Sequence, residues 1–277
     1  LGPPATPNLH TLTVSFRGSL VTERFGLRRF GVDFDTSRLT INGEITKLVG
    51  WNHHTQFPVT AASPTDAQLD ADVALLRRGH ANFVRGAHYP HDPRMLDRLD
   101  EAGIVFWSET LGPHISLVNT QDWGFFMKYQ LEQLDQMLDN ALNHAAIFAW
   151  GWFNEGPSEY PEACPAYAAN SERVRARDTT RFVTWADKHT LDGACYEHAD
   201  LIAFNDYPGW YSLPLAPRAT QIWDKYAAAV HNGATKSGKG TIGKPMVISE
   251  TGAGGIYEWD GNKTDWYWTL KYQSNII

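Results

Sequence analysis

The chain has 277 residues, 43% of them hydrophobic and 20% charged, with a net charge of −7, as expected of a globular protein holding one large domain or one and a half. A negative balance with no basic stripe argues against nucleic acid as a partner, and no run of about 18 apolar residues is present to span a membrane. Two cysteines, Cys164 and Cys195, are too few for a disulfide framework or a four-cysteine metal site; free thiols are the expectation, with one bridge as the alternative.

Residues 1–38 read as β-structure. Leu1-Gly2-Pro3-Pro4 forms no signal peptide. Thr11 to Phe16 alternates with period two, and Val21 to Leu27 follows after Arg17-Gly18-Ser19, giving two strands around a short turn. Two strands alone are marginal in water, so the segment is expected to be the end of a larger β-sandwich.

From residue 39 the pattern becomes strand, loop, helix, repeated. Thr46–Trp51 reads as the first strand. Ser63-Pro64 opens a helix, with Ser63 as N-cap and Pro64 at the first helical position; Leu69, Val73 and Leu76 mark its buried face. Ala81–Arg85 is the second strand, Asp92-Pro93 caps the next helix, and Ile104–Trp107 is the third strand. A long helix buries Met127, Leu131, Leu134, Leu138 and Leu142. The fourth strand is expected to end at Glu155. A helix over 162–176 precedes the fifth strand, Phe182–Trp185, and Leu201–Phe204 is the sixth. A helix through Ile222 and Val230 precedes the seventh, which ends at Glu250, and Trp266–Ile277 reads as a further helix. Asn262-Lys263-Thr264 fits the N-glycosylation acceptor pattern. Alternating strands and helices imply a parallel sheet with right-handed crossovers. No glycine-rich phosphate loop opens the first helix, which weighs against a doubly wound nucleotide-binding sheet. The expectation is an α/β fold, a (β/α)8 TIM-type barrel over 39–277 whose eighth βα unit is absent.

Glu155 and Glu250 are the candidate catalytic pair. Each follows a short aromatic or β-branched run, where a parallel barrel keeps its chemistry. Their separation, 250 − 155 = 95 residues, is about three units of roughly 30 residues, which puts them on opposite sides of one barrel mouth. Two carboxyls are what cleavage of a glycosidic bond requires: an acid for the leaving oxygen, and a base or nucleophile for the sugar carbon. An aromatic content of 13%, with eleven tryptophans, allows some rings to line a cleft, because sugar rings stack on aromatic faces. A single glutamate after a strand is usually only solvated; two at matching strand ends are another matter.

The motifs around these residues resemble glycoside hydrolase family 2, the family of β-galactosidases, β-glucuronidases and β-mannosidases, over nearly the whole chain. Val21 to Arg28 is similar to the last strand of the family's immunoglobulin-like domain, which makes 1–38 the remnant of such a sandwich. Leu39-Thr40-Ile41-Asn42-Gly43-Glu44 resembles its "L-N-G-K" lead-in to the barrel, and Gly50-Trp51-Asn52-His53-His54 its "G-V-N-R-H". Asn82-Phe83-Val84-Arg85-Gly86-Ala87-His88-Tyr89-Pro90 is similar to "N-A-V-R-T-S-H-Y-P". Trp107-Ser108-Glu109-Thr110 takes the place of a "D-E" strand end. Trp152-Phe153-Asn154-Glu155 resembles the acid/base motif, Ser249-Glu250-Thr251-Gly252 the nucleophile motif, and Asn205 to Tyr211 the "N-x-Y-x-G-W-Y" of the glucuronidase branch.

The resemblance implies a retaining exo-β-glycosidase working by double displacement on β-glucuronides or β-galactosides. It implies Glu250 as nucleophile and Glu155 as general acid, then base. Asn154 would hold the sugar's 2-hydroxyl, Tyr207 and Arg85 would steady the nucleophile, and His88 would border the sugar. Trp210 and Tyr211 are expected as a substrate platform or as packing at the barrel top. Asn52 and His53 carry over on a motif that lacks the family's Arg between them. Glu109 takes the place of an acidic residue that binds a divalent cation in some β-galactosidases, but its neighbours resemble the glucuronidase branch, so no metal or cofactor is expected. His53, His54, His88 and His91 lack metal-ligand spacing on a helix and are expected as cleft-wall or core histidines. The expected partner is a carbohydrate substrate; missing domains or a second copy would complete the barrel. The rival expectation is an inactive carbohydrate-binding or assembly-dependent fragment.

Overall fold

The barrel staves are short, and each is fixed by its neighbours' ladders. The computed structural model describes residues 7–211, 219–259 and 268–276. The Asn262-Lys263-Thr264 triplet and the start of the expected terminal helix lie outside the described residues.

The chain opens with an antiparallel ribbon, β1 (Leu9–Phe16) and β2 (Ser19–Gly26). Its two-residue turn suits a right-twisted hairpin, because Arg17 and Gly18 both take positive φ, 48° and 84°. Most of the ribbon is exposed. It touches the rest of the fold where Asn143 donates to the Arg24 carbonyl at 2.8 Å, and two residues beyond the ribbon Arg28 Nε donates to the Ala145 carbonyl at 3.0 Å. A second antiparallel sheet follows, β3 (Phe30–Asp33), β4 (Arg38–Ile41) and β5 (Glu44–Ile45), with β3 pairing β4 across the expected boundary at residue 38.

The barrel staves are β6 (Gly50–His53), β7 (Phe83–Gly86), β8 (Val105–Glu109), β9 (Ile147–Gly151), β10 (Phe182–Thr184), β11 (Ala186–Asp187), β12 (Ile202–Asn205) and β13 (Met246–Glu250). All their pairings are parallel, in the orders β6-β7-β8-β9-β10 and β11-β12-β13. Only Trp185 separates β10 from β11, so the two are halves of one stave and seven staves run in sequence order. Among the described residues, no ladder joins β13 to β6. The helices between staves are α1 (Asp66–Arg78), α2 (Pro93–Ala102), α3 (Leu117–Gln121), α4 (Phe126–Ala141), α5 (Cys164–Arg175) and α6 (Ala219–His231), with α7 (Leu270–Ile276) after β13. None of the described helices is long and apolar enough to cross a membrane.

Several boundaries move from the sequence expectation. The first stave begins at Gly50, because Asn82 captures the backbone before it: the Val49 amide donates to Asn82 Oδ1 at 2.8 Å, and Asn82 Nδ2 donates to the Lys47 carbonyl at 2.9 Å. Helix α1 starts two residues later than expected. Thr65, not Ser63, is its N-cap, closing a capping box in which Thr65 Oγ1 accepts the Gln68 amide and the Gln68 side chain returns to the Thr65 amide. The buried face of α4 holds Met127, Gln130, Leu134, Met137, Leu138 and Ala141. Leu131 is only half-buried, and Leu142 stands at the exposed helix end. Gln130 can be buried because its amide donates to Thr110 Oγ1 at 2.8 Å and Asn170 Oδ1 at 3.2 Å. The expectation of free thiols is corrected: Cys164 at the start of α5 is disulfide-bonded to Cys195, 31 residues on, and no described cysteine is free. The thiols are distant in sequence, and only the packing of α5 on the 187–198 loop brings them together.

Candidate active site

Arg85 organises the mouth of the barrel. It is the third residue of β7, and its side chain is fully buried. An unpaired guanidinium there would be costly, and four groups answer it. Arg85 Nε and Nη2 donate to the two oxygens of Glu109, at 2.6 and 3.1 Å. Nη1 donates to Glu250 Oε1 at 2.6 Å, and Nη2 also donates to Asn154 Oδ1 at 2.7 Å. His88 Nδ1 lies 3.0 Å from Nη2. The Trp107 ring lies beneath, 5.0 Å from the guanidinium carbon. The end of β9 must be a glycine: a Cβ on Gly151 would stand 2.2 Å from Trp107 Nε1. Burial works against charge on both Arg85 and Glu109. Their mutual attraction prevails, raising the arginine above its ordinary value and, with His88 Nδ1 3.5 Å from Glu109 Oε2, holding the Glu109 carboxyl below the usual range.

Glu250 is the last residue of β13, mostly buried. Its other oxygen accepts the Tyr207 hydroxyl at 2.6 Å. Burial first, then that bond, pushes the Tyr207 phenol up, so it remains a donor. Glu155 stands four residues beyond the end of β9, on a loop rather than in the stave. Its backbone and that of Phe153 take positive φ, 54° and 51°. Its Oε1 accepts from Asn205 Nδ2 at 2.9 Å, and its Oε2 lies 3.3 Å from His114 Nδ1. The two carboxylates are joined by amides. Asn205 Nδ2 also donates to Asn154 Oδ1 at 3.1 Å, and Ser249 Oγ donates to Asn205 Oδ1 at 2.8 Å. Asn154 therefore accepts from both Arg85 and Asn205, which fixes its flip and leaves Nδ2 as the donor it can offer.

Arg85, His88, Asn154, Glu155, Tyr207 and Glu250 thus come together around one hollow. Trp210 and Tyr211 line an adjoining cavity of about 440 Å³ with Trp51 and Trp268, and the Trp210 and Trp268 rings meet edge to face at 4.8 Å. Asn52 pairs in register with Arg85 across β6 and β7, but on an exposed stave. His53 bonds elsewhere: Nε2 lies 2.9 Å from Asp72 on α1, and Nδ1 lies 3.0 Å from His91 Nε2. Burial and the neighbouring His53 push His91 down to about 4. Glu109 commits both oxygens to Arg85. Among the described residues, the group of His, Cys, Asp or Glu atoms near enough to share a cation is Asp97, Asp100 and His144, which does not include it. Sequence reasoning assigned no role to Asn205 or His114. Asn205 stands at a stave end two residues before Tyr207, a position that could have flagged it; His114, in a loop after Gly112-Pro113, gives no such signal.

Comparisons with known proteins point one way. Residues 32–275 match the family model described as glycosyl hydrolases family 2, TIM barrel domain. A β-glucuronidase of Bacteroides fragilis is 32% identical over 202 residues, covering 69% of this chain and 28% of that protein. A β-galactosidase of Thermoanaerobacter pseudethanolicus is 38% identical over 133 residues, 47% of this chain and 17% of that protein. The crystal structure of a GH2 β-galacturonidase from Eisenbergiella tayi bound to galacturonate superposes with a TM-score of 0.88 at 25% identity, over 99% of this chain and 48% of that one. The chain spans about half the length of that structure and under a third of these two relatives.

Proposed function

The chain belongs to glycosyl hydrolases family 2, and on that premise we propose that it hydrolyses terminal β-D-glycosides with retention, a β-glucuronide first and a β-galactoside second. The observation that carries the reading is the unequal setting of the two carboxylates. Glu250 receives a cation and a phenol, two donors that stabilise negative charge. Glu155 receives a neutral amide and sits near an imidazole. One carboxylate held by a cation and a phenol, facing another that accepts only a neutral amide, is the asymmetry that double displacement uses.

In the first step Glu250 attacks the anomeric carbon while Glu155 gives its proton to the departing oxygen, leaving a glycosyl ester. In the second, Glu155 takes a proton from water, whose oxygen attacks the same carbon and releases Glu250. Asn154 Nδ2 is placed to donate to a sugar hydroxyl, and Arg85 keeps the nucleophile in line. Relatives named for glucuronide, galactoside and galacturonide chemistry support the β-glycoside class. The glucuronide preference rests on the Asn205 to Tyr211 string.

A second reading, sugar binding without turnover, is favoured by one observation: among the described residues, β13 and β6 share no ladder at the mouth. Aryl β-glucuronide, β-galacturonide and β-galactoside, followed by proton NMR of the first sugar released, separate the readings. Retention gives the β-anomer first. The α-anomer appearing first overturns retention, and tight sugar binding with no release on any substrate favours the second reading.

A further inference from the structure

A second polar network lies beneath the loop that carries Glu155, and the chemistry above does not use it. Asp187, the last residue of β11, is fully buried. Its Oδ1 accepts the His189 amide at 2.7 Å; its Oδ2 accepts from Ser158 Oγ and, at 3.2 Å, from Trp185 Nε1. Ser158 follows Glu155 by three residues and is also fully buried. The Ser158 carbonyl accepts the Ala194 amide at 2.7 Å and lies 3.4 Å from Cys195 Sγ, itself bonded to Cys164. One residue before Asp187, the Ala186 carbonyl accepts the Glu155 amide at 2.8 Å. Glu155 and Ser158 are therefore tied to consecutive residues of one stave.

The loop needs such ties. Phe153 and Glu155 occupy the left-handed region, which costs a non-glycine residue about 1–3 kcal/mol and persists only where the surroundings over-determine it. Gly156 is pressed so closely that a Cβ would stand 2.7 Å from Tyr167 Oη. The carboxyl beneath comes at a cost too. Burial raises its pKa, the Ser158 bond and the His189 amide oppose that, and among the described residues no arginine or lysine is one of its hydrogen-bond partners. A packed apolar side chain there would avoid that cost, so the carboxyl's contribution is to geometry.

We propose that Asp187 is a positioning residue for Glu155: through Ser158 it holds the 153–158 loop so that the Glu155 carboxyl faces the leaving-group oxygen. This rests on the reading of Glu155 as acid/base. The test compares two aryl glycosides of the sugar that the unaltered chain cleaves best. A 2,4-dinitrophenyl glycoside departs without a proton; a phenyl glycoside needs one. A misplaced acid therefore slows only the second, whereas a smaller folded fraction slows both alike. Asp187→Asn is expected to lose about 100-fold in kcat/KM on the phenyl glycoside and to stay within about threefold on the dinitrophenyl one, with azide accelerating turnover of the latter. Equal losses on the two substrates, or none, overturn the proposal. If Asp187→Asn does not fold, Ser158→Ala carries the same comparison with an expected loss of about tenfold. Glu155→Ala is the reference. If it shows no dependence on the leaving group, the acid/base reading itself fails and the proposal falls with it; if it does and both variants do not, the positioning role alone fails.

Discussion

One guanidinium meets two carboxylates at the barrel mouth, and the consequence differs for each. Glu109 is fully enclosed and takes a bond from Arg85 on each of its oxygens; Glu250 takes one and keeps an edge toward the hollow. Removing the nucleophile while keeping its shape is the direct probe. Glu250→Gln is expected to lower kcat roughly ten-thousand-fold, and initial rates on the best aryl glycoside check it. A residual rate within tenfold of the unaltered chain would rule Glu250 out as nucleophile. Tyr207→Phe removes a single donor and is expected to cost about tenfold to a hundredfold in kcat, with little change in KM. Arg85, Asn154 and Tyr207 are legible in sequence because each stands inside a specific string. Asn205 shares a string with Tyr207, and its stave-end position marks it, but spacing alone does not say that its amide bonds an acid. His114 reaches Glu155 only because the Asn154 carbonyl accepts its amide at 2.8 Å, a contact between loops 40 residues apart.

At the scale of elements, alternation and periodicity predict seven staves and the helices between them, and that order is what the structure has. The misplaced ends are those set by side-chain bonds to the backbone, one from across the fold and one from the next turn. Asn82 displaces the start of β6, and the Thr65 capping box displaces that of α1. Thr65→Ala is expected to cost about 1 kcal/mol, read as a shift in the urea midpoint at unchanged slope. No shift would mean that packing of Leu69, Val73 and Leu76, not the cap, holds that turn. The disulfide stood in the sequence only as the alternative to free thiols, since two cysteines 31 residues apart satisfy no motif. By loop-closure entropy a crosslink of that span stabilises by roughly 3–4 kcal/mol. Reductant should therefore lower the denaturation midpoint of the unaltered chain and leave that of a Cys164→Ser, Cys195→Ser double variant unmoved. An equal response from both would show that the bond is not formed in solution.

For the whole molecule, two buried groups at opposite ends of the staves contribute to the response of stability to acid in different pH ranges. His91 lies near the mouth, where burial first and His53 second hold its folded pKa at about 4. Asp178 lies at the other end. Burial would raise it, but bonds from Trp150 Nε1 at 2.8 Å, Arg181 Nη1 at 2.8 Å and Thr180 bring it down to about 2. Both folded values lie below those of the unfolded chain, about 6.5 for His and 3.9 for Asp. The unfolded chain therefore binds the extra proton first, and stability falls as pH falls. The windows do not coincide. The neutral His91 loses its share between about pH 6.5 and 4, and the Asp178 carboxylate between about pH 4 and 2. At 1.36 kcal/mol per unit, each loss is about 3 kcal/mol. Urea unfolding at successive pH values should show two adjoining inclines of similar slope that meet near pH 4. His91→Gln should flatten the upper one alone, because glutamine does not titrate and can still bond His53. Asp178→Asn should flatten the lower one alone while lowering stability at neutral pH, since Arg181 is left buried without its partner. A single incline that neither variant alters would mean that acid sensitivity arises instead among the exposed carboxylates.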